Sequence, residues 1–312
     1  MTTHERAAAS TAQRRRWRPH RRELRRQITS FSFVLPALIL MAIFLFYPIG
    51  YLIWLAFEKW DLLGTPVFVG FHNFYNIIFG PFSSDFMKSV GVTVLFVILA
   101  MPAQVGLGLF LAVILERELK GKAFFRSTFF FPMVISFVAA GITFKWLFDN
   151  QLGMIPAALA SAGIPFPNWH ADGTWGVIII VITNTWKVAG FSMILYIAGL
   201  EGISNDLYEA AEIDGVRSAW QRFRFISWPL IVPTTALLVI TNTIGSFQAF
   251  VPFFVMTTGG PGGDTTSIVY YIYNNFASQT GLASAAATLF LIAVLAITAV
   301  QLSIARQREQ VY

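Results

Sequence analysis

Side chains that commonly do covalent chemistry are scarce in this chain. It has no cysteine, which removes thiolate catalysis, disulfides and Cys-built metal sites. His4, His20, His72 and His170 are scattered, and no two stand at metal-ligand spacing. There is no Gly-x-x-x-x-Gly-Lys-Ser/Thr phosphate loop; Lys120-Gly121-Lys122 is only a basic turn. What remains are polar groups inside strongly apolar stretches, where they are costly and therefore informative. Lys187 sits mid-stretch beside Asn184, Thr185 and Trp186. Two readings of it stay open. Its ammonium binds solute oxygens on a pathway, where phosphate or carboxylate would suit it, or it satisfies carbonyls or a helix dipole. Further on, Asn242, Ser246 and Gln248 lie near Phe247 and Phe250. Aromatic faces with a few hydrogen-bonding groups suit a sugar; the plainer alternative is interhelical hydrogen bonding, about 0.6 kcal/mol on average. Gly190, Gly199 and Gly245 read as positions of close helix packing.

The elements that hold these residues are membrane-spanning. The 312 residues are 56% hydrophobic and 12% charged, whereas a soluble domain is about one-quarter charged. Lipid is the solvent that accepts such a surface. Six stretches are long enough to span as helices: 31–57, 90–115, 124–147, 175–199, 230–256 and 283–305. Several contain proline (Pro36, Pro48, Pro102, Pro132, Pro233, Pro252), which membrane helices tolerate where neighbours satisfy the freed carbonyl. The expected fold is thus all-α and integral to the membrane, with a basic tail at 1–30, a domain at 31–305 and a short tail at 306–312.

Lys and Arg set the expected orientation. Arg6, Arg14, Arg15, Arg16, Arg18, Arg21, Arg22, Arg25 and Arg26 crowd the first 26 residues. Arg117, Lys120, Lys122 and Arg126 follow the second stretch, Arg217, Arg222 and Arg224 the fourth, and Arg306 and Arg308 close the chain. All fall on one side if both termini are cytoplasmic; Lys59 and Lys88 fall on the other. A basic tail running straight into an apolar span reads as an anchor on anionic lipid, not as a nucleic-acid arm. The outer connections, 58–89, 148–174 and 257–282, carry turn chemistry such as Gly259-Gly260-Pro261-Gly262-Gly263-Asp264. Trp60, Trp169 and Trp175 there suit a membrane interface, and Tyr270, Tyr271, Tyr273 and Asn274 either rest at that interface, the preferred reading, or cover the outer mouth of a pathway.

The inner loop 200–229 is unlike the rest. Ser204 or Asn205 caps a helix whose first turns hold Asp206, Glu209 and Glu212, where acids favour the N-terminus. Gly215 ends that helix. A basic amphipathic stretch follows, with Trp220, Phe223 and Ile226 among Arg217, Arg222 and Arg224, up to Pro229. Two short helices projecting at an angle are shaped to insert into a partner. Asp206 and Asp214 are placed to pair with a partner's Arg or with Arg217.

Glu209-Ala210-Ala211, Asp214-Gly215 and Ile226-Ser227-Trp228-Pro229 resemble the signature loop of permease subunits of bacterial ABC importers. That pattern is Glu-Ala-Ala, three residues, Gly, nine residues, Ile-x-Leu-Pro. Here ten residues separate Gly215 from Ile226, and Trp228 replaces Leu. Tyr47-Pro48, Gly70-Phe71-His72-Asn73-Phe74, Trp186-Lys187, Ser246-Phe247-Gln248, Met256-Thr257-Thr258-Gly259-Gly260-Pro261 and Ala283-Ser284-Ala285 extend the likeness to the carbohydrate-uptake branch. The resemblance implies a six-span bundle, and a loop in which Glu209, Ala210, Ala211, Asp214 and Gly215 dock on an ATPase. It also implies a second homologous permease in a heterodimer, two ATPase subunits that bind the ATP and Mg, and an extracytoplasmic solute-binding protein. No cofactor is expected in this chain. Candidates for the solute pathway are Asn184, Trp186, Lys187, Asn242, Ser246, Phe247, Gln248 and Phe250. The expected solute is a sugar, oligosaccharide or polyol, with a glycerol-phosphate-type solute as the alternative. An ion-gradient carrier would need membrane acids, and no Asp or Glu falls mid-span. An enzyme would need a convergent acid, base or nucleophile, and none assembles.

Overall fold

The computed structural model describes residues 21–116 and 121–309. The basic tail ahead of Arg21, together with Arg117 and Lys120, lies outside the described residues. The chain divides at Leu52 into two units. The first holds α1 (Arg21–Met41), a π-helical stretch Ala42–Phe46 and the start of α2 (Tyr47–Leu55). Pro48 explains the wide turn: it has no N–H for the Phe44 carbonyl and its ring crowds that carbonyl. Widening the turn relieves both problems, and Tyr47 N–H donates to the Ala42 carbonyl instead. Phe31, Phe33, Phe44 and Phe46 are exposed, as lipid-facing rings would be.

The second unit begins with an antiparallel hairpin, β1 (Glu58–Lys59) and β2 (Val67–Phe68), then α3 (His72–Ile78). α4 (Ser83–Glu116) is 34 residues long, about 51 Å, more than a bilayer core requires. α5 (Lys122–Phe130) runs through a 3-10 turn to Met133, and α6 (Phe137–Leu147) leaves at 94° to it. The stretch 124–147 is therefore a broken pair of helices, not one straight span. Pro132 cannot bond the Thr128 carbonyl, and Ser136 is extended between the halves. α7 (Met154–Ser161) lies in the next connection, and α8 (Gly173–Glu201) is capped by Asp172, whose Oδ1 accepts from the N–H groups of Thr174 and Trp175.

The inner loop forms α9 (Asn205–Ile213), α10 (Ala219–Arg222), a π-helical turn and α11 (Trp228–Leu230). A 66° bend separates it from α12 (Val232–Phe247). The stretch 230–256 also divides, because Pro252 has no N–H for the Gln248 carbonyl; α13 (Val251–Met256) starts afresh. α14 (Ile268–Phe276) and α15 (Thr280–Glu309) complete the unit. Among the described residues, four helical segments are long and apolar enough to cross a membrane, rising to six if each bent pair is one span.

Helix packing in lipid rests on close van der Waals approach. A Cβ on Gly108 of α4 would lie 2.4 Å from the Ser192 Cβ of α8, so these helices meet where no larger residue fits. Phe96, Val177, Ile180, Phe253 and Met256 belong to one part of the core, and Ala112, Leu115, Met193, Tyr196 and Leu238 to another. Two groups expected at the interface are instead internal. Trp169 is 1% exposed and its Nε1 donates to the Phe148 carbonyl at 2.7 Å. Tyr270 and Tyr271 are buried because α14 packs back on α4 and α15, while Tyr273 stays exposed.

Candidate functional site

Two sites emerge: a polar cavity among the helices and the projecting inner loop. The cavity, of about 300 Å3, is lined by Gln104 of α4, Phe137 of α6, Asn184, Val188 and Phe191 of α8, and Thr241, Asn242, Gly245 and Ser246 of α12. No lining side chain is charged. Asn242 is oriented by donating to the Leu238 carbonyl at 2.9 Å and to Ser192 Oγ at 3.2 Å. Gln104 Nε2 and Ser246 Oγ are buried without a protein partner. Buried polar groups are rarely left unpaired, so these two are available to a bound solute or to water. Amide and hydroxyl groups beside the aromatic side chains of Phe137 and Phe191 suit a hydroxyl-rich molecule.

Of the eight pathway candidates, Asn184, Asn242 and Ser246 meet in this cavity. The others do not. Trp186 packs on Phe144 at 4.9 Å between ring centres. Lys187, 8% exposed, turns to the break between α5 and α6 and donates to the carbonyls of Pro132, Met133 and Ile135. Its carbonyl reading is the one the geometry supports. Phe247 packs on Phe290, Gln248 is exposed past the end of α12, and Phe250 joins Phe254, Tyr270 and Tyr273. Gln104 was missed by sequence reasoning although the signal was present: a lone amide in the apolar stretch 90–115 meets the test applied to Asn184. Gly245, expected to serve packing, has open space over it and borders the cavity, whereas Gly190 and Gly199 do sit against neighbouring helices.

The loop is built by local rules. Ser204 Oγ accepts from Asp206 N–H at the start of α9. At its end Gly215 takes φ +94°, Gly215 N–H donates to the Glu212 carbonyl, and Val216 N–H to the Ala211 carbonyl. This is a Schellman ending, which needs a left-handed residue. Ser218 and Gln221 then form a reciprocal capping box. Glu212 pairs with Arg222 across the two helices, so the internal ion pair uses neither Asp206, Asp214 nor Arg217. Tyr208 bonds Ser227 at 2.9 Å, and burial pushes its phenol pKa up. Glu209, Ala210, Asp214 and Gly215 face outward, with Leu207, Ile213 and Trp220 exposed beside them. Ala211 is half-buried.

Residues 104–309 match the family model of the binding-protein-dependent transport system inner membrane component. The chain belongs to that family. The match starts at Gln104 and includes both the cavity and the loop. The chain is 31% identical over 288 residues to the sn-glycerol-3-phosphate transport system permease protein UgpA of Agrobacterium fabrum, covering 90% of this chain and 96% of the relative. It is 32% identical over 282 residues to the trehalose/maltose transport system permease protein MalF of Thermococcus litoralis, covering 89% and 94%. In fold it is similar to a chain of a bacterial alginate ABC transporter solved in complex with a periplasmic protein bound to alginate pentasaccharide. That likeness has a TM-score of 0.75 at 23% identity, over 92% of this chain and 96% of the other. The apolar helices of this inner membrane component are thus those of a multi-pass membrane protein.

Proposed function

We propose that this chain is one of two permease subunits of an ATP-driven importer for an uncharged sugar, oligosaccharide or polyol. Each bent helix pair counts as one span in this reading, making six, with both termini cytoplasmic. The positive-inside distribution of Lys and Arg supports that orientation. The second permease is a homologue in a heterodimer. Two ATPase subunits hold the ATP and Mg and dock on Glu209, Ala210, Ala211, Asp214 and Gly215. A solute-binding protein delivers the solute from outside, as the alginate complex illustrates for its own system.

The proposal rests on the loop: a capped helix, a left-handed Gly215 and an exposed apolar face, within a chain of permease family. ATP closes the ATPase dimer, the loops move with it, and the cavity faces outward. Hydrolysis reverses the motion and turns it inward. The work comes from differential binding of nucleotide states, transmitted as rigid-body movement. Gln104, Asn184, Asn242 and Ser246 would hydrogen-bond solute hydroxyls on the way. The glycerol-phosphate alternative has named relatives in its favour, but the cavity has no cation and Lys187 is engaged elsewhere.

Co-purification from mild detergent tests this, comparing wild type with a Glu209→Arg, Gly215→Asp double variant. Wild type is expected to retain an ATPase subunit, and the variant to lose it while staying folded. Wild type that purifies without an ATPase, with uptake abolished by an uncoupler but not by ATP depletion at a maintained gradient, would replace the proposal with a gradient-driven carrier.

A further inference from the structure

Lys187 is buried midway along α8, yet no carboxylate is among its partners. Its Nζ lies 3.3 Å from the Pro132 carbonyl oxygen, 3.0 Å from that of Met133 and 2.5 Å from that of Ile135. An ammonium has three protons, and three carbonyls accept them. These carbonyls stand where one helix ends and the next has not begun, the place where a terminus leaves carbonyls short of donors; that of Pro132 also accepts from the Ile135 N–H at 3.3 Å. The negative end of the α5 segment also favours a cation there. Nζ further lies 5.1 Å from the ring centre of Phe137, the first residue of α6.

The same two elements are fastened at two other levels. Near their inner ends, Arg126 of α5 pairs with Glu201, the last residue of α8, and Lys122 Nζ lies 3.5 Å from the same carboxylate. Between these points Gly190 of α8 meets α5 so closely that a Cβ would fall 2.2 Å from the Phe129 carbonyl oxygen. One end of this assembly continues directly into the loop, since Ser204 caps α9 three residues after Glu201. The other end presents Phe137 to the cavity.

We propose that Lys187 pins α5, the break and α8 into one strut that carries movement of the inner loop to Phe137 and the cavity wall. This rests on the permease reading above. Lys187 is then a positioning residue acting through Phe137, not a receptor for an anionic solute. Removing its ammonium takes away the charged donor shared by these carbonyls, of which only that of Pro132 keeps a backbone donor, the Ile135 N–H; in an apolar setting an unmet bond is costly, and the break is freed to move independently of the loop.

This chain has no cysteine, so a single Ser136→Cys substitution, at the exposed residue before Phe137, gives it one thiol, and labelling read on this chain after its subunits are separated reports on the break. Its maleimide labelling rate would be measured in the purified complex in lipid nanodiscs, without nucleotide and with a non-hydrolysable ATP analogue. With Lys187 in place, the expected change between the two conditions is at least about threefold, the scale of a modest coupling energy. Lys187→Met is expected to abolish that change while the complex still hydrolyses ATP, and Lys187→Arg to retain part of it. Should Lys187→Met fail to assemble, Glu201→Gln, at a half-exposed carboxylate, is expected to reduce the response. An undiminished response in Lys187→Met, or in Glu201→Gln when that variant carries the comparison, overturns the strut. So does a complex with Lys187 intact that hydrolyses ATP with no change at the introduced cysteine. A wild-type chain that brings no ATPase with it refutes the permease reading instead, and takes the strut with it.

Discussion

At the residue scale, the cavity is defined by what its amides lack. Gln104 is almost completely buried and its Nε2 has no partner. A group in that condition contributes nothing to stability through hydrogen bonding, and removing it relieves a desolvation cost. Gln104→Leu is therefore expected to leave thermal stability unchanged or slightly raised. Solute transport should weaken by about tenfold in KM, the value of one lost hydrogen bond. Uptake kinetics beside a melting curve would check this; a fall in both stability and uptake would make Gln104 a packing residue. Asn242 behaves differently, because it bonds Ser192 and Leu238. Asn242→Ala is expected to cost about 1 kcal/mol in stability as well as solute affinity.

At the scale of the element, the inner loop holds its shape through termini. Gly215 has φ +94° with open space over its Cα, so an alanine there suffers from backbone conformation and not from a clash. Gly215→Ala is expected to destabilise the end of α9 by about 1 kcal/mol. Faster hydrogen exchange at the Gly215 and Val216 amides would show it, since those amides close the Schellman ending. Glu212→Gln breaks the pair with Arg222, but both side chains are substantially exposed. An exposed pair contributes less than about 1 kcal/mol, so this variant should keep its ATPase partner in a pull-down. Loss of the partner would show that Glu212 contacts the ATPase itself. The helix breaks are decided at this scale too. Pro132 and Pro252 were visible as prolines, yet a proline alone does not distinguish a kink from a 94° turn.

At the scale of the whole molecule, the proposed orientation is argued from the placement of Lys and Arg. A cysteine-free chain makes the test direct. The thiol introduced by Leu63→Cys, in the connection after β1, should react with an impermeant maleimide in spheroplasts. That of Ser218→Cys, in the inner loop, should react only after the membrane is opened. Reversed reactivity would invert the topology and put the loop out of reach of a cytoplasmic ATPase.

Composition and local pattern were enough to read the solvent, the approximate apolar stretches, and the loop from Ser204 to Pro229. Hydrophobic run length, Lys and Arg asymmetry, and cap residues are local properties that need no tertiary partner. Asn184, Asn242 and Ser246 were legible for a related reason, since a polar side chain in an apolar run is conspicuous wherever it points. Direction, by contrast, came from the packing of the helices. Adjacent helical residues face about 100° apart, so Asn184, Trp186 and Lys187, close in sequence, reach a cavity, an aromatic neighbour and a broken backbone. The three carbonyls that hold Lys187 come from 52 to 55 residues away, and their availability depends on a bend that no local pattern specifies.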